Sequence, residues 1–102
     1  MKYDAIIMDP PVYGHGPNGE KWDFSRSFPH LLSLCKQVLS AKPVFILINA
    51  YAISASSLML ENVLKDMVPF EKTAIESGEL ALSEKGSERL LSTGIFGRWR
   101  SA

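Results

Sequence analysis

Asp9-Pro10-Pro11-Val12-Tyr13 is the stretch of this chain best equipped for chemistry. Two consecutive prolines fix the backbone and remove two amide donors. They leave a carboxylate and a backbone carbonyl as acceptors in set positions. Tyr13 adds an aromatic face just beyond. The preceding run, Ala5 to Met8, is unbroken and apolar with two β-branched residues. It reads as a strand buried on both faces, as in a parallel sheet covered by helices. Pairing must end at Pro10 and Pro11. Asp9 therefore stands at the carboxyl end of a buried strand, outside which open α/β sheets place their ligand crevice.

The elements that must position this corner follow in order. A loop from Val12 to about Arg26 holds Gly14, Gly16, Pro17, Asn18 and Gly19, all turn formers. His15, Glu20, Trp22 and Phe24 lie within it. A loop of that length in a compact domain serves function or is disordered, and its aromatics favour a lid or substrate loop over Asp9. A helix is expected from about Phe28 to Ser40, with Ser27 as N-cap and Pro29 in the first turn. Its apolar stripe is Leu31, Leu34, Cys35, Val38 and Leu39. Pro43 opens a second continuous apolar strand, Val44 to Tyr51, again expected to be buried on both faces. Asn49 and Tyr51 stand at its carboxyl end, on the same edge as Asp9 if the two strands are parallel. A second helix spans about Ala55 to Met67, with Ser54 as N-cap, a stripe of Leu58, Met59, Val63 and Met67, and Pro69 as its stop. Thr73 to Ser83 and Arg89 to Arg98 form an antiparallel hairpin around the Gly-containing turn from Glu84 to Glu88. Gly78 marks the expected position of a bulge. The order is β-α-β-α-β-β, an α/β fold of parallel strands plus a C-terminal antiparallel hairpin.

The 102 residues are read as one small domain, 1–102, and the 46% apolar content is ordinary for a globular chain. Eleven basic and eleven acidic residues cancel. The chain as a whole thus lacks the basic excess of a nucleic-acid-binding surface, although Arg98-Trp99-Arg100 is locally basic. The lone cysteine cannot form an internal disulfide, which fits a reducing cytosol. No apolar run approaches the roughly 20 residues needed to span a bilayer, and Met1-Lys2-Tyr3-Asp4 lacks the apolar core of a signal peptide. A cytoplasmic location is the expectation.

Asp9-Pro10-Pro11-Val12-Tyr13 resembles motif IV of the S-adenosylmethionine-dependent methyltransferases. The wider run from Met8 to Glu20 is most similar to Rossmann-like RNA methyltransferases related to the bacterial large-subunit ribosomal RNA enzymes. The resemblance covers almost all of this chain but only about half of the family's catalytic domain. It implies half of a Rossmann-like methyltransferase fold, starting at the family's fourth strand. It also implies S-adenosylmethionine as cofactor once the Gly-rich half is supplied. Gly14, Gly16 and Gly19 do not replace that turn, since they lack the strand-then-helix context of a phosphate-binding fingerprint. The resemblance assigns catalysis to Asp9, Pro10, Pro11 and Tyr13, with Asp9 and Pro10 also touching the cofactor. In amino-methylating relatives this corner accepts hydrogen bonds from the target amine, and Tyr13 would offer a π face to a flipped base.

Each remaining candidate carries two readings. Asp9 caps a strand end or does chemistry, and Tyr13 is a core aromatic or a stacking surface. His15, Asn18, Trp22, Asn49 and Tyr51 are the substrate-binding candidates. His15 contacts substrate or is a solvated loop residue, and Trp22 with Phe24 either stacks on a nucleobase or pins the loop to the core. Arg98-Trp99-Arg100 grips RNA or frays. Cys35, on a helical stripe, reads as a small core residue. The cysteine expected of a cytosine-C5 enzyme after the second strand is absent between Asn49 and Ser54, which disfavours a covalent cysteine adduct. Two scattered histidines and one cysteine make no metal site. The leading expectation is the catalytic C-terminal half of an RNA methyltransferase. The alternatives are a non-catalytic remnant or interaction module of the same fold, and an unrelated small α/β binding protein. An unpaired edge on the first strand predicts a homodimer or a separate N-terminal part as partner.

Overall fold

A computed structural model of the chain describes residues 1–51, 53, 55–68 and 74–101. Its elements are β1 (Ala5–Met8), β2 (Tyr13–His15), β3 (Lys21–Asp23), α1 (Phe24–Val38), β4 (Phe45–Ala50), α2 (Ser57–Met67), β5 (Ile75–Ser83) and β6 (Leu90–Arg100). Four strands form one sheet in the order β1-β4-β6-β5, and β2 and β3 form a separate ribbon. β1 and β4 are parallel, while β6 runs antiparallel to both β4 and β5. This is the expected α/β arrangement of parallel strands followed by an antiparallel hairpin. No helix among the described residues is long and apolar enough to cross a membrane.

Strand register sets the core. Ile46 lies between Ile6 and Trp99, and Ile48 between Met8 and Gly97. Met8, Ile46, Ile48 and Trp99 cluster with Phe24 and Phe28 of α1 and with Leu60, Leu64 and Met67 of α2. Both helices therefore lie on one face. A Cβ on Gly97 would come within 2.8 Å of the Leu60 Cβ and 3.2 Å of the Leu64 Cδ1. Helix α2 thus packs directly on the β6 backbone.

The opposite face corrects the expectation of strands buried on both sides. Ile7 is 65% exposed, and Phe45, Leu47 and Phe96 beside it are only half-buried. An apolar run says that a strand prefers cover on both faces. It does not say that the covering elements lie within the same residues. β1 is also an edge of the sheet, with one side of its backbone unpaired by any described strand.

Other expectations shift for local reasons. The stretch read as a long loop is the β2–β3 ribbon, with Gly19 at φ +84° in its turn, a conformation glycine adopts without strain. Helix α1 starts four residues earlier than expected. Asp23, not Ser27, is its N-cap, and its Oδ1 accepts from the Ser25 amide at 3.0 Å. Ser27 Oγ accepts from the Asp23 amide at 3.3 Å. The Phe24 and Phe28 rings stack at 4.5 Å, which holds the first turns closed with Pro29 inside the helix. The buried stripe is rotated accordingly: Phe24 and Phe28 are buried, while Leu34 and Val38 are exposed. Helix α2 is capped at Ser56 and buries Leu60 and Leu64, leaving Leu58 outside. The bulge lies between Leu80 and Ala81 rather than at Gly78. Trp99 is fully buried and Arg98 pairs with Glu76 at 2.7 Å, so Arg98-Trp99-Arg100 is core strand and not a frayed end. Ser54, Pro69 and Thr73 lie outside the described residues.

Gly97→Ala is expected to destabilise the fold by about 1–3 kcal/mol, because the new methyl meets the α2 backbone side of Leu60 in a packed layer. Urea unfolding followed by circular dichroism measures this. An unchanged midpoint would show that α2 does not sit this close to β6.

Candidate active site

The sequence builds the corner in three steps. The β1 ladder ends at Met8, and Pro10 and Pro11 carry the chain out of the sheet without donors. The ribbon then folds back onto that exit. The Trp22 Nε1–H donates to the Pro11 carbonyl at 2.6 Å, and the Phe24 amide donates to the Val12 carbonyl at 2.9 Å. Asp23 finally starts α1. Corner, ribbon and helix N-terminus are thereby one unit.

The Asp9 carboxylate is exposed and has no hydrogen-bond partner among the described residues. Pro10 is buried beneath it. Continuing the parallel register by one residue past Met8 and Ile48 sets Asp9 level with Asn49, on the open face of the sheet. Tyr51 follows on that edge. A Cβ on Gly94 would come within 2.7 Å of the Tyr51 Cδ1, so this ring lies against β6. Asp9, Asn49 and Tyr51 are thus brought to one edge, as their strand-end positions implied.

Tyr13 is 73% exposed, not a core aromatic. Tyr13, His15, Lys21 and Asp23 share one face of the ribbon, with Tyr13 paired to Asp23 and His15 to Lys21. Together with Arg26 and Ser27 of α1 they line a cleft of about 320 Å³. Trp22 also lines it, but its indole N–H is committed to Pro11. Asn18 sits apart at the ribbon tip, where its amide donates to Glu20 Oε2 at 3.1 Å. Hydrogen bonds from its own amide and from Asn18 hold the Glu20 carboxyl below the usual range. That contribution to the turn is present above the ordinary glutamate pKa and is lost as pH falls through the lower folded value.

Sequence reasoning missed Lys21 and Arg26 as cleft residues. The available signal was the Gly-Pro-Asn-Gly turn between two short runs, which reads as a hairpin and would have placed Lys21 opposite His15. Cys35 lies on the helix-covered side of the sheet, half-buried against the core, with its Sγ 3.7 Å from the Met8 Sδ, and burial pushes its thiol pKa up. Its thiolate fraction is therefore lower in the folded chain than in the unfolded one. A disulfide reagent at about pH 8 is expected to label Cys35 slowly in buffer and faster in denaturant. Equal rates in both would overturn the buried placement.

No family model and no curated protein sequence matches the chain. Solved structures do. The SAM-dependent methyltransferase from Agrobacterium tumefaciens overlays on 97% of this chain with a TM-score of 0.82 and 34% sequence identity. SMU.776, a protein assigned as a methyltransferase and solved in complex with SAH, overlays on 97% with a TM-score of 0.56 and 17% identity, a likeness of fold alone. The chain spans 33% of the first structure's length and 26% of the second's. Sheet order, parallel β1–β4 pairing and the closing antiparallel hairpin all enter that overlay: the chain has the fold of part of a SAM-dependent methyltransferase.

Proposed function

We propose that this chain is the substrate-facing part of an S-adenosylmethionine-dependent methyltransferase acting on RNA. The observation that carries the reading is the overlay at TM-score 0.82 and 34% identity on the Agrobacterium enzyme, with Asp9-Pro10-Pro11 standing at the carboxyl end of a parallel strand.

The corner fits the methyl-bearing end of the cofactor, since it offers an exposed carboxylate without a partner among the described residues. Asp9 and the Pro10 backbone would hold it there. S-adenosylmethionine, when bound, supplies an electrophilic methyl group. The chain's own residues do the positioning. The Asp9 carboxylate and Pro10 carbonyl accept hydrogens from the target amine and aim its lone pair. Tyr13 stacks on the base, and Asn49 and Tyr51 bound the site on the β4 side. Fixing these groups before substrate arrives reduces the ordering cost of binding. With the Cys35 thiol packed into the core on the helix side, direct transfer to nitrogen or oxygen is the mechanism that the residues serve.

The remaining walls of the cofactor site belong to whatever covers the open face and pairs with the free edge of β1. Exposed apolar edges favour strand addition. The occupant is the first half of a catalytic domain, on this chain's longer form or on another chain, and in its absence a second copy of these residues.

Three outcomes are expected. Titration calorimetry of the 102-residue chain with S-adenosylmethionine gives weak heat or none, and supplying the complementary half restores binding. In that assembled domain Asp9→Ala lowers methyl transfer to RNA by roughly 10²-fold or more with the circular dichroism spectrum unchanged. Transfer at the parent rate would sink the role of Asp9. By sedimentation, the chain alone self-associates at micromolar concentration, and Ile7→Lys makes it monomeric. A parent chain that is already monomeric there counts against the edge as an interface.

A further inference from the structure

The cleft between the β2–β3 ribbon and the first turn of α1 has a chemical character of its own. Its lining carries the cations Lys21 and Arg26, the imidazole of His15 and the phenol ring of Tyr13. Asp23 is the one carboxylate among the lining residues, and its Oδ1 is engaged by the Ser25 amide as the helix cap. The three ion pairs found among the described residues use Lys65, Arg89 and Arg98. Lys21 and Arg26 take part in none of them. In a chain whose charges cancel overall, two cations against one carboxylate leave the lining net positive beside an exposed aromatic ring. Cations without internal partners suit phosphate, and an exposed ring suits a base face.

Size and rigidity narrow the ligand further. At about 320 Å³ the cleft is at the small end of ligand sites, which run from roughly 300 to 1,000 Å³. It admits one residue of a polymer and not a folded partner. The Trp22–Pro11 bond, the Phe24–Val12 bond and the Asp23 cap fix its walls to the same corner that carries Asp9.

We infer that this cleft binds a nucleotide adjoining the target in a single-stranded polynucleotide, with Lys21 and Arg26 on its phosphate, next to the target base on which Tyr13 stacks. The inference rests on the methyltransferase reading above for what occupies the Asp9 corner. Lys21 and Arg26 are binding residues here, and neither touches the transferred group.

Fluorescence anisotropy of a labelled short oligouridylate, and of a labelled oligothymidylate of equal length, tests this on the full chain without cofactor. Loss of oligonucleotide binding and loss of methyl transfer are therefore read separately. Each phosphate contact to a single strand contributes a salt slope of about 0.7. The Lys21→Ala/Arg26→Ala variant should thus bind roughly 10–30-fold more weakly near 0.1 M salt, with a slope smaller by about 1.4. Tyr13→Ala should weaken binding at every salt concentration with the slope unchanged. Lys42→Ala/Lys85→Ala removes the same charge from exposed positions outside the cleft and should have little effect. Equal binding of the two oligonucleotides supports recognition through phosphate and base. Tighter binding of the oligouridylate supports it with a contribution from the 2′-hydroxyl. No binding by the parent chain overturns the inference. So does an equal loss in the Lys42/Lys85 variant, or an unchanged salt slope in the Lys21/Arg26 variant with its fold intact by circular dichroism.

Discussion

The hydrogen bond from the Trp22 indole to the Pro11 carbonyl is the contact on which the site depends. A strand that ends in two prolines leaves the sheet with carbonyls to satisfy and no amides to offer. The ribbon answers that need from outside, with one side-chain donor at Pro11 and one backbone donor at Val12. A neutral bond of this kind is worth only about 0.5–1.5 kcal/mol. Its consequence is geometric: it fixes where the ribbon lies, and the ribbon fixes where α1 begins. Asp9, Tyr13, Lys21 and Arg26 then keep constant relative positions, although the end of β1, β2, β3 and α1 each supply one.

Below the corner, energetics are one-sided. Among the described residues, the face that carries α1 and α2 contains every fully buried large side chain: Ile46, Ile48, Leu60, Leu64, Val68 and Trp99. The other face keeps Phe45, Leu47 and Phe96 half-buried and Ile7 in the open. Its Arg98–Glu76 pair is exposed and adds at most about 1 kcal/mol. Stability comes from one layer of helices, and the site stands at the carboxyl end of that layer's strands. The free edge of β1 borders the same corner.

Much of this was legible in the residues. Apolar runs bounded by prolines located β1 and β4, and Asn49 and Tyr51 reached the edge of Asp9 because parallel strands must end on the same side. The turn from Glu84 to Glu88 announced the β5–β6 hairpin. What escaped has physical causes. Ser27 two residues before Pro29 resembles a helix start, but Asp23 with the Phe24–Phe28 stack captures the chain four residues sooner, which rotates the buried stripe away from Leu34 and Val38. The short strands of the ribbon are too brief for a period-two pattern to show, so a paired element read as a loop. Trp99 lies between two arginines, a polar setting in sequence. Alternation in β6 sends the arginines to one face and the indole to the other. The burial of Leu60 and Leu64 in place of Leu58 follows from the flat approach permitted by Gly97, a contact between elements that no local pattern records.

The strand order carries a consequence for how the chain comes to be folded. β6, last of the described elements in sequence, lies in the middle of the sheet between β4 and β5. While the ribosome is still making it, β1, α1, β4 and α2 already exist with Ile46, Ile48, Leu60 and Leu64 facing a gap. The core cannot close until Trp99 is in place. Closure of this core thereby waits for β6, and until then the apolar faces of β4 and α2 stay open to other contacts. Losing the residues of β6 would cost the sheet its centre rather than its margin.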